Sequence, residues 1–170
     1  MLTIIGNSFG GSMKALIIYM SNHGTTEKIV DRLSSLLGYN TSTIINLRNQ
    51  EVPNLEDFDT IIIGGSVHAG KIQKKLRLFC SSKLEELVTK KIGLFLCYMD
   101  DKNRYEEFLN SFPGELIDHA KASGFFGGEL LFEKMNFIEK AVAKKVSKHK
   151  ESVSRINSQA INHFAIQITG

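Results

Sequence analysis

The chain has no tryptophan, two cysteines, two prolines and no long apolar run among its 170 residues. Cys80 and Cys97 are far apart and form no C-x-x-C pair. That excludes a disulfide framework, argues against a zinc site and fits a reducing cytoplasm. No apolar stretch approaches the roughly 18–20 residues needed to cross a bilayer. Charge of one sign is also scarce. A formal +3 gives no basis for nucleic-acid binding. Neither the histidines nor the carboxylates fall into a ligand spacing, so no metal is expected. What remains is ordinary for a folded soluble chain, 42% hydrophobic and 23% charged residues. The length is that of one domain.

Residues 1–12 carry no charge and hold only the short apolar patch Leu2, Ile4, Ile5. A secretory signal needs a basic start and a longer apolar core, so these residues read as a leader outside the fold. Met13 opens a stretch that resembles a natural protein start, and residues 13–170 are expected to form a single domain. From there, strands and helices alternate. Ala15–Met20, Thr60–Gly64 and Ile92–Tyr98 are short runs apolar on both faces, as central parallel strands require. Thr43–Leu47 is a further strand, and Ala122–Leu131 a fifth, interrupted at Gly127-Gly128. Helical spacing appears at Ile29, Val30, Leu33, Leu36 and Leu37, at Ile72, Leu76 and Phe79, at Tyr105, Phe108, Leu109 and Phe112, and at Ile161, Phe164, Ala165 and Ile168. This order predicts an α/β fold, a doubly wound five-stranded parallel sheet with helices on both faces. Ligands of such sheets bind beyond the carboxyl ends of the strands, where strand order reverses.

The loops at those ends have unusual composition. Ser21-Asn22-His23-Gly24-Thr25-Thr26 joins the first strand to a helix and contains three hydroxyls, a glycine and no acid. Unpaired N–H groups and the dipole at a helix N-terminus favour an anion, and hydroxyls add donors. The same residues also suit an ordinary N-cap. With neither G-x-x-x-x-G-K-[ST] nor G-x-G-x-x-G present, triphosphate hydrolysis and dinucleotide binding are disfavoured.

Ser-x-x-Gly-x-Thr after the first strand resembles the phosphate loop of the flavodoxin-domain family. Gly64-Gly65-Ser66-Val67-His68-Ala69-Gly70-Lys71 and Phe126-Gly127-Gly128-Glu129-Leu130 resemble patterns of a subgroup that includes menaquinone-dependent protoporphyrinogen oxidases. The resemblance implies strand order 2-1-3-4-5 and flavin mononucleotide (FMN) as cofactor, with Ser21, Asn22, His23, Gly24, Thr25 and Thr26 at its phosphate. It implies that Ser66, Val67, His68, Ala69 and Gly70 pass along the N5 edge of the ring, and that Cys97, Tyr98, Met99 and Asp100 cover the other face and the pyrimidine edge. His68 is the candidate catalytic side chain, for stacking or proton handling, or else a solvent-facing loop histidine. Tyr98 is the stacking candidate, or else a core tyrosine at a strand end. Cys97 reads as a small apolar packing residue.

Between Phe132 and Lys150, six lysines face two glutamates, so the rest of the chain has 15 basic and 16 acidic residues. Phe132, Met135, Ile138, Val142 and Val146 recur at helical spacing, which predicts an amphipathic helix with a basic face. It suits a solvated face, anionic lipid or an acidic protein partner. The resulting expectation is a cytoplasmic FMN-dependent oxidoreductase, peripheral at the membrane. Its donor would be protoporphyrinogen or another reduced aromatic and its acceptor a quinone. The rivals are an electron carrier serving a redox-partner protein, and a domain that has lost FMN and acts as a regulatory module.

Overall fold

The computed structural model describes residues 13–21, 24–130, 137, 140, 141 and 152–170, with Tyr39 and Leu130 placed in the backbone only. Five parallel strands, β1 (Ala15–Met20), β2 (Ser42–Asn46), β3 (Thr60–Ser66), β4 (Lys91–Cys97) and β5 (Ala122–Phe125), form one sheet in the order β2-β1-β3-β4-β5. The helices are α1 (Thr25–Leu37), α2 (Lys74–Ser82), α3 (Leu84–Leu87), α4 (Arg104–Ser111), α5 (Gly114–His119) and α6 (Ser158–Thr169).

Residues along each inner strand divide between two cores, because successive side chains point to opposite faces. Leu16, Ile18, Ile61, Ile63, Ile92 and Leu94 pack under the layer of α2–α5. Ala15, Ile17, Tyr19, Ile62 and Phe95 pack under α1 and α6, against Leu33 and Phe164. Every residue of β1 is buried, which explains the two-sided apolar pattern that marked it in the sequence. Strand order reverses between β1 and β3, so the crevice lies beyond Met20 and Ser66.

The fifth strand departs from expectation. It leaves the main sheet after Phe125, and Glu129–Leu130 (β6) instead pairs antiparallel with Val153–Ser154 (β7). The divergence occurs at Gly127, whose φ of 68° is open to glycine and whose Cβ would lie 2.0 Å from the Arg155 carbonyl oxygen. Further differences are smaller. β3 continues two residues beyond Gly64, to Ser66. The helix expected from Ile72 begins at Lys74, and Pro113 starts the separate helix α5. The apolar stripe Phe132, Met135, Ile138, Val142, Val146 and the leader 1–12 lie outside the described residues.

The glycine pair ending β3 serves packing. A Cβ on Gly64 would meet the Phe95 ring at 2.4 Å, and one on Gly65 would meet Gln73 Oε1 at 2.9 Å. Phe95 is itself held in a stack on Phe126, with centroids 5.1 Å apart. Gly64→Ala is therefore expected to destabilise by about 1–3 kcal/mol through overpacking. Gly114→Ala, with nothing within 4 Å of the new methyl, should stay within about 0.5 kcal/mol of the parent. Urea unfolding of the two variants checks the contrast.

Candidate functional site

The loop after β1 is built to leave donors unpaired. Gly24 is the N-cap of α1, with a φ of 84°, and no side chain caps the helix. Ser21 Oγ accepts the Gly24 N–H at 3.0 Å, so this hydroxyl shapes the turn. The residues after the cap, Thr25 and Thr26, are buried, and Thr26 Oγ1 has no oxygen or nitrogen partner, only the weakly bonding Cys97 thiol beside it. A buried hydroxyl costs free energy when unpaired, so a group arriving at this helix end gains a ready donor. The capping alternative offered by the sequence is not what forms here, since a glycine occupies that position. Asn22 and His23 lie outside the described residues.

Beside it, the chain after β3 makes a tight hairpin. His68 and Lys71 pair through His68 N–H to Lys71 O at 2.9 Å, and Ala69 and Gly70 between them have φ of 51° and 81°. Left-handed backbone at both central positions is the favoured geometry for a two-residue hairpin. For Ala69 it costs about 1–2 kcal/mol. Val67 N–H donates to Cys97 O at 2.9 Å, which locks the hairpin to the end of β4. The exposed His68 ring places Nε2 3.1 Å from Ser66 Oγ, and Gln73 Nε2 donates to that same oxygen at 3.1 Å. The Ser66 hydroxyl thus links the histidine to the residue that precedes α2.

The loop after β4 supplies the third wall. Cys97 is buried beneath it, and burial pushes its thiol up to about 12, against a smaller lowering by the Thr26 hydroxyl. It is no nucleophile at neutral pH. Half-buried Tyr98 turns its ring edge-on to Phe125, with centroids 6.3 Å apart. Burial and the Asp101 charge raise its pKa. Met99 is half-buried. Asp100 spends both carboxylate oxygens on the turn into α4, accepting from Lys102 N at 3.0 Å and from Asn103 Nδ2 at 2.9 Å. Asp101 pairs with Arg104 at 3.2 Å. Asp100 and Asp101 each have a partner of their own rather than forming an acid–base pair with each other.

Three residues that the sequence left without a role prove central: Glu129, Lys28 and Gln73. Beyond Gly128, where a Cβ would meet the Tyr98 carbonyl oxygen at 2.8 Å, Glu129 reaches back to the first turn of α1. Its carboxylate accepts from Lys28 Nζ at 2.8 Å, Thr25 Oγ1 at 3.5 Å and Ser154 Oγ at 3.0 Å. Burial raises this carboxyl, but the bonds from Lys28 and Ser154 outweigh it and hold the pKa below its ordinary value. The Lys28 charge balances a carboxylate that would otherwise repel an anion at the same helix end. Among the described residues, no group of three or more His, Cys, Asp or Glu is placed to hold a metal ion. No helix there is long and apolar enough to cross a membrane.

Comparison with known proteins agrees with this arrangement. The Flavodoxin domain family model matches residues 16–156. Two-electron reduced flavodoxin from Megasphaera elsdenii is 14% identical, with a TM-score of 0.59 over 91% of this chain and 97% of that one. Oxidised Flavodoxin 1 from Bacillus cereus is 16% identical, with a TM-score of 0.56 over 92% and 97%. Fusobacterium nucleatum flavodoxin, solved bound to flavin mononucleotide, is 16% identical, with a TM-score of 0.52 over 92% and 98%. At these identities the likeness shows the fold. No curated protein gives a significant match.

The Glu129 clasp carries a pH signature. A carboxyl with a depressed folded pKa stabilises above its unfolded value and loses that contribution as pH falls through the folded one. Glu129→Gln should therefore cost about 1 kcal/mol at neutral pH. The difference from the parent should begin to shrink as the pH falls below the ordinary value of 4.5 and continue to shrink through the lowered folded value. Urea midpoints at pH 7 and pH 3 measure both.

Proposed function

Because the chain belongs to the flavodoxin domain family, we propose that it is an FMN-dependent oxidoreductase whose Ser21–Thr26 loop holds the phosphate of the cofactor. The observation that carries the reading is the buried Thr26 hydroxyl, without an oxygen or nitrogen partner, at the uncapped N-terminus of α1. It lies on the loop that the topology sets at the reversal of strand order. When bound, FMN supplies the electron chemistry.

The chain's own residues supply position and polarity. Thr26 and the unpaired N–H groups of α1 would hold the phosphate, while Lys28 screens Glu129. The hairpin at Ser66–Gly70 would present backbone groups to one edge of the ring, and its pairing with the end of β4 anchors the hairpin. His68, joined to Ser66 Oγ, would hold or pass a proton there. Tyr98 is engaged with Phe125, so its part is to shape the far wall, with Met99 offering apolar cover.

Within this reading the donor is protoporphyrinogen or a similar reduced aromatic and the acceptor a quinone, as the motifs at Gly64–Lys71 and Phe126–Leu130 imply. The excess of lysine between Phe132 and Lys150 suits an enzyme that works beside an anionic membrane. An electron carrier is the second reading, supported by the flavodoxins that share the fold. Anaerobic turnover of FMN-loaded protein with protoporphyrinogen and a menaquinone analogue separates the two, since a carrier reacts stoichiometrically and an enzyme catalytically.

Thr26→Asp replaces the donor by a like charge at the anion site. It should weaken FMN by at least tenfold and riboflavin far less, as read by flavin fluorescence quenching, and equal losses would contradict the phosphate role. His68→Ala should retain one FMN per chain yet change the pH dependence of its reduction potential. An unaltered profile across neutral pH would make His68 a solvent-facing loop residue.

A further inference from the structure

The mouth of the site is electrically lopsided. From Lys71 to Leu78 the chain carries Lys71, Lys74, Lys75 and Arg77 and no acid. Lys71, Lys74 and Lys75 are exposed, and Leu78, on the same face of α2, is 57% exposed. Among the described residues no carboxylate forms an ion pair with these lysines. Lys74 and Lys75 also stand at the wrong end of their helix. The N-terminus of α2 is the positive pole of its dipole, yet its first turn holds no acidic residue. Two unpaired cations in that first turn, with Lys71 just before it, disfavour the folded helix locally, and such conflicts with local preference collect at functional surfaces.

Across the mouth the sign is reversed. Asp100, Asp101, Glu106 and Glu107 outnumber Lys102 and Arg104 at the start of α4. The two sides are close neighbours. Ser66 and Cys97 are register partners in the sheet, and Ile72 N–H donates to Ser111 Oγ at 3.1 Å. The basic side is coupled to the hairpin through Gln73 and Ser66, and through the His68–Lys71 backbone pairing.

We infer that the Lys71–Lys74–Lys75–Leu78 face of α2 is a docking surface for an acidic protein partner that comes to rest beside the Ser66–Gly70 hairpin. Complementarity selects a protein over a lipid surface. A uniformly anionic bilayer that engages the lysines also repels the carboxylates of α4, whereas a protein can set an acidic patch over α2 and leave the opposite side neutral or basic. Leu78 supplies a small apolar contact within the charged ring. Such a partner is steered in by charge, and the encounter weakens steeply with salt. That the docked partner exchanges electrons there rests on the FMN reading; the docking itself does not.

The test uses the full chain, both FMN-free and FMN-loaded, with an acidic plant-type ferredoxin as probe. Amide shift perturbations at low salt should centre on residues 71–78, disappear near 0.2 M salt, and weaken at least fivefold in Lys74→Gln/Lys75→Gln. Both substituted side chains are exposed, and the amide spectrum of the variant verifies its fold. Absence of binding at low salt, perturbations centred elsewhere, or undiminished binding by the variant would overturn the proposal. So would co-sedimentation with phosphatidylserine vesicles that depends on Lys74 and Lys75. A chain that shows the α2 perturbations but takes up no FMN would leave the docking surface standing and remove the flavin reading.

Discussion

A parallel sheet sealed on both faces leaves its polar chemistry one outlet, the ends of its strands. β1 is buried along its whole length, and β3 and β4 nearly so. No hydroxyl or charge can sit between them without losing water on both sides. Polar side chains are therefore found where β1 gives way to α1 and where β3 gives way to a hairpin. Order reversal between those two strands opens the space, and everything functional in the molecule follows from that placement.

What steadies the outlet is contact between parts of the chain far apart in sequence. The segment after β5 returns under the first loop, and Glu129 binds Lys28 and Thr25 across about a hundred residues. The glycines before it allow this return, because Gly127 lies against the Arg155 backbone and Gly128 against that of Tyr98. The same carboxylate could oppose an incoming anion, and Lys28 removes that conflict. The hairpin is steadied differently, by backbone pairing to β4 and by the Ser66–Gln73 bond. One wall of the site is thus held by an ion pair and the other by the sheet.

The inner strands were legible in the sequence because two-sided burial writes itself as an unbroken apolar run. The junction from β1 to α1 was legible because a run of hydroxyls and glycine without acids follows the apolar strand. The fate of the fifth strand was not, since its departure from the sheet depends on a backbone 28 residues beyond Gly127. The clasp at Glu129 was equally hidden. A carboxylate after a glycine pair has no local partner, and pairing with Lys28 exists only once the sheet has brought both ends together. Gly64 and Gly65 were visible only as members of a motif, because what they pack against, Phe95 and Gln73, lies on other parts of the chain.

The central claim is that the amino end of α1 holds a dianionic phosphate monoester. Free monoesters take up their second proton near about pH 6. A phosphate held by unpaired N–H groups and the Thr26 hydroxyl is stabilised in its dianionic form, so its pKa falls. Phosphorus NMR of the FMN-loaded protein between pH 5 and 8 reads this directly. The account predicts a bound resonance that does not titrate across that range. A bound resonance that titrates like free FMN would contradict it, since the phosphate would then lie in solvent, away from α1.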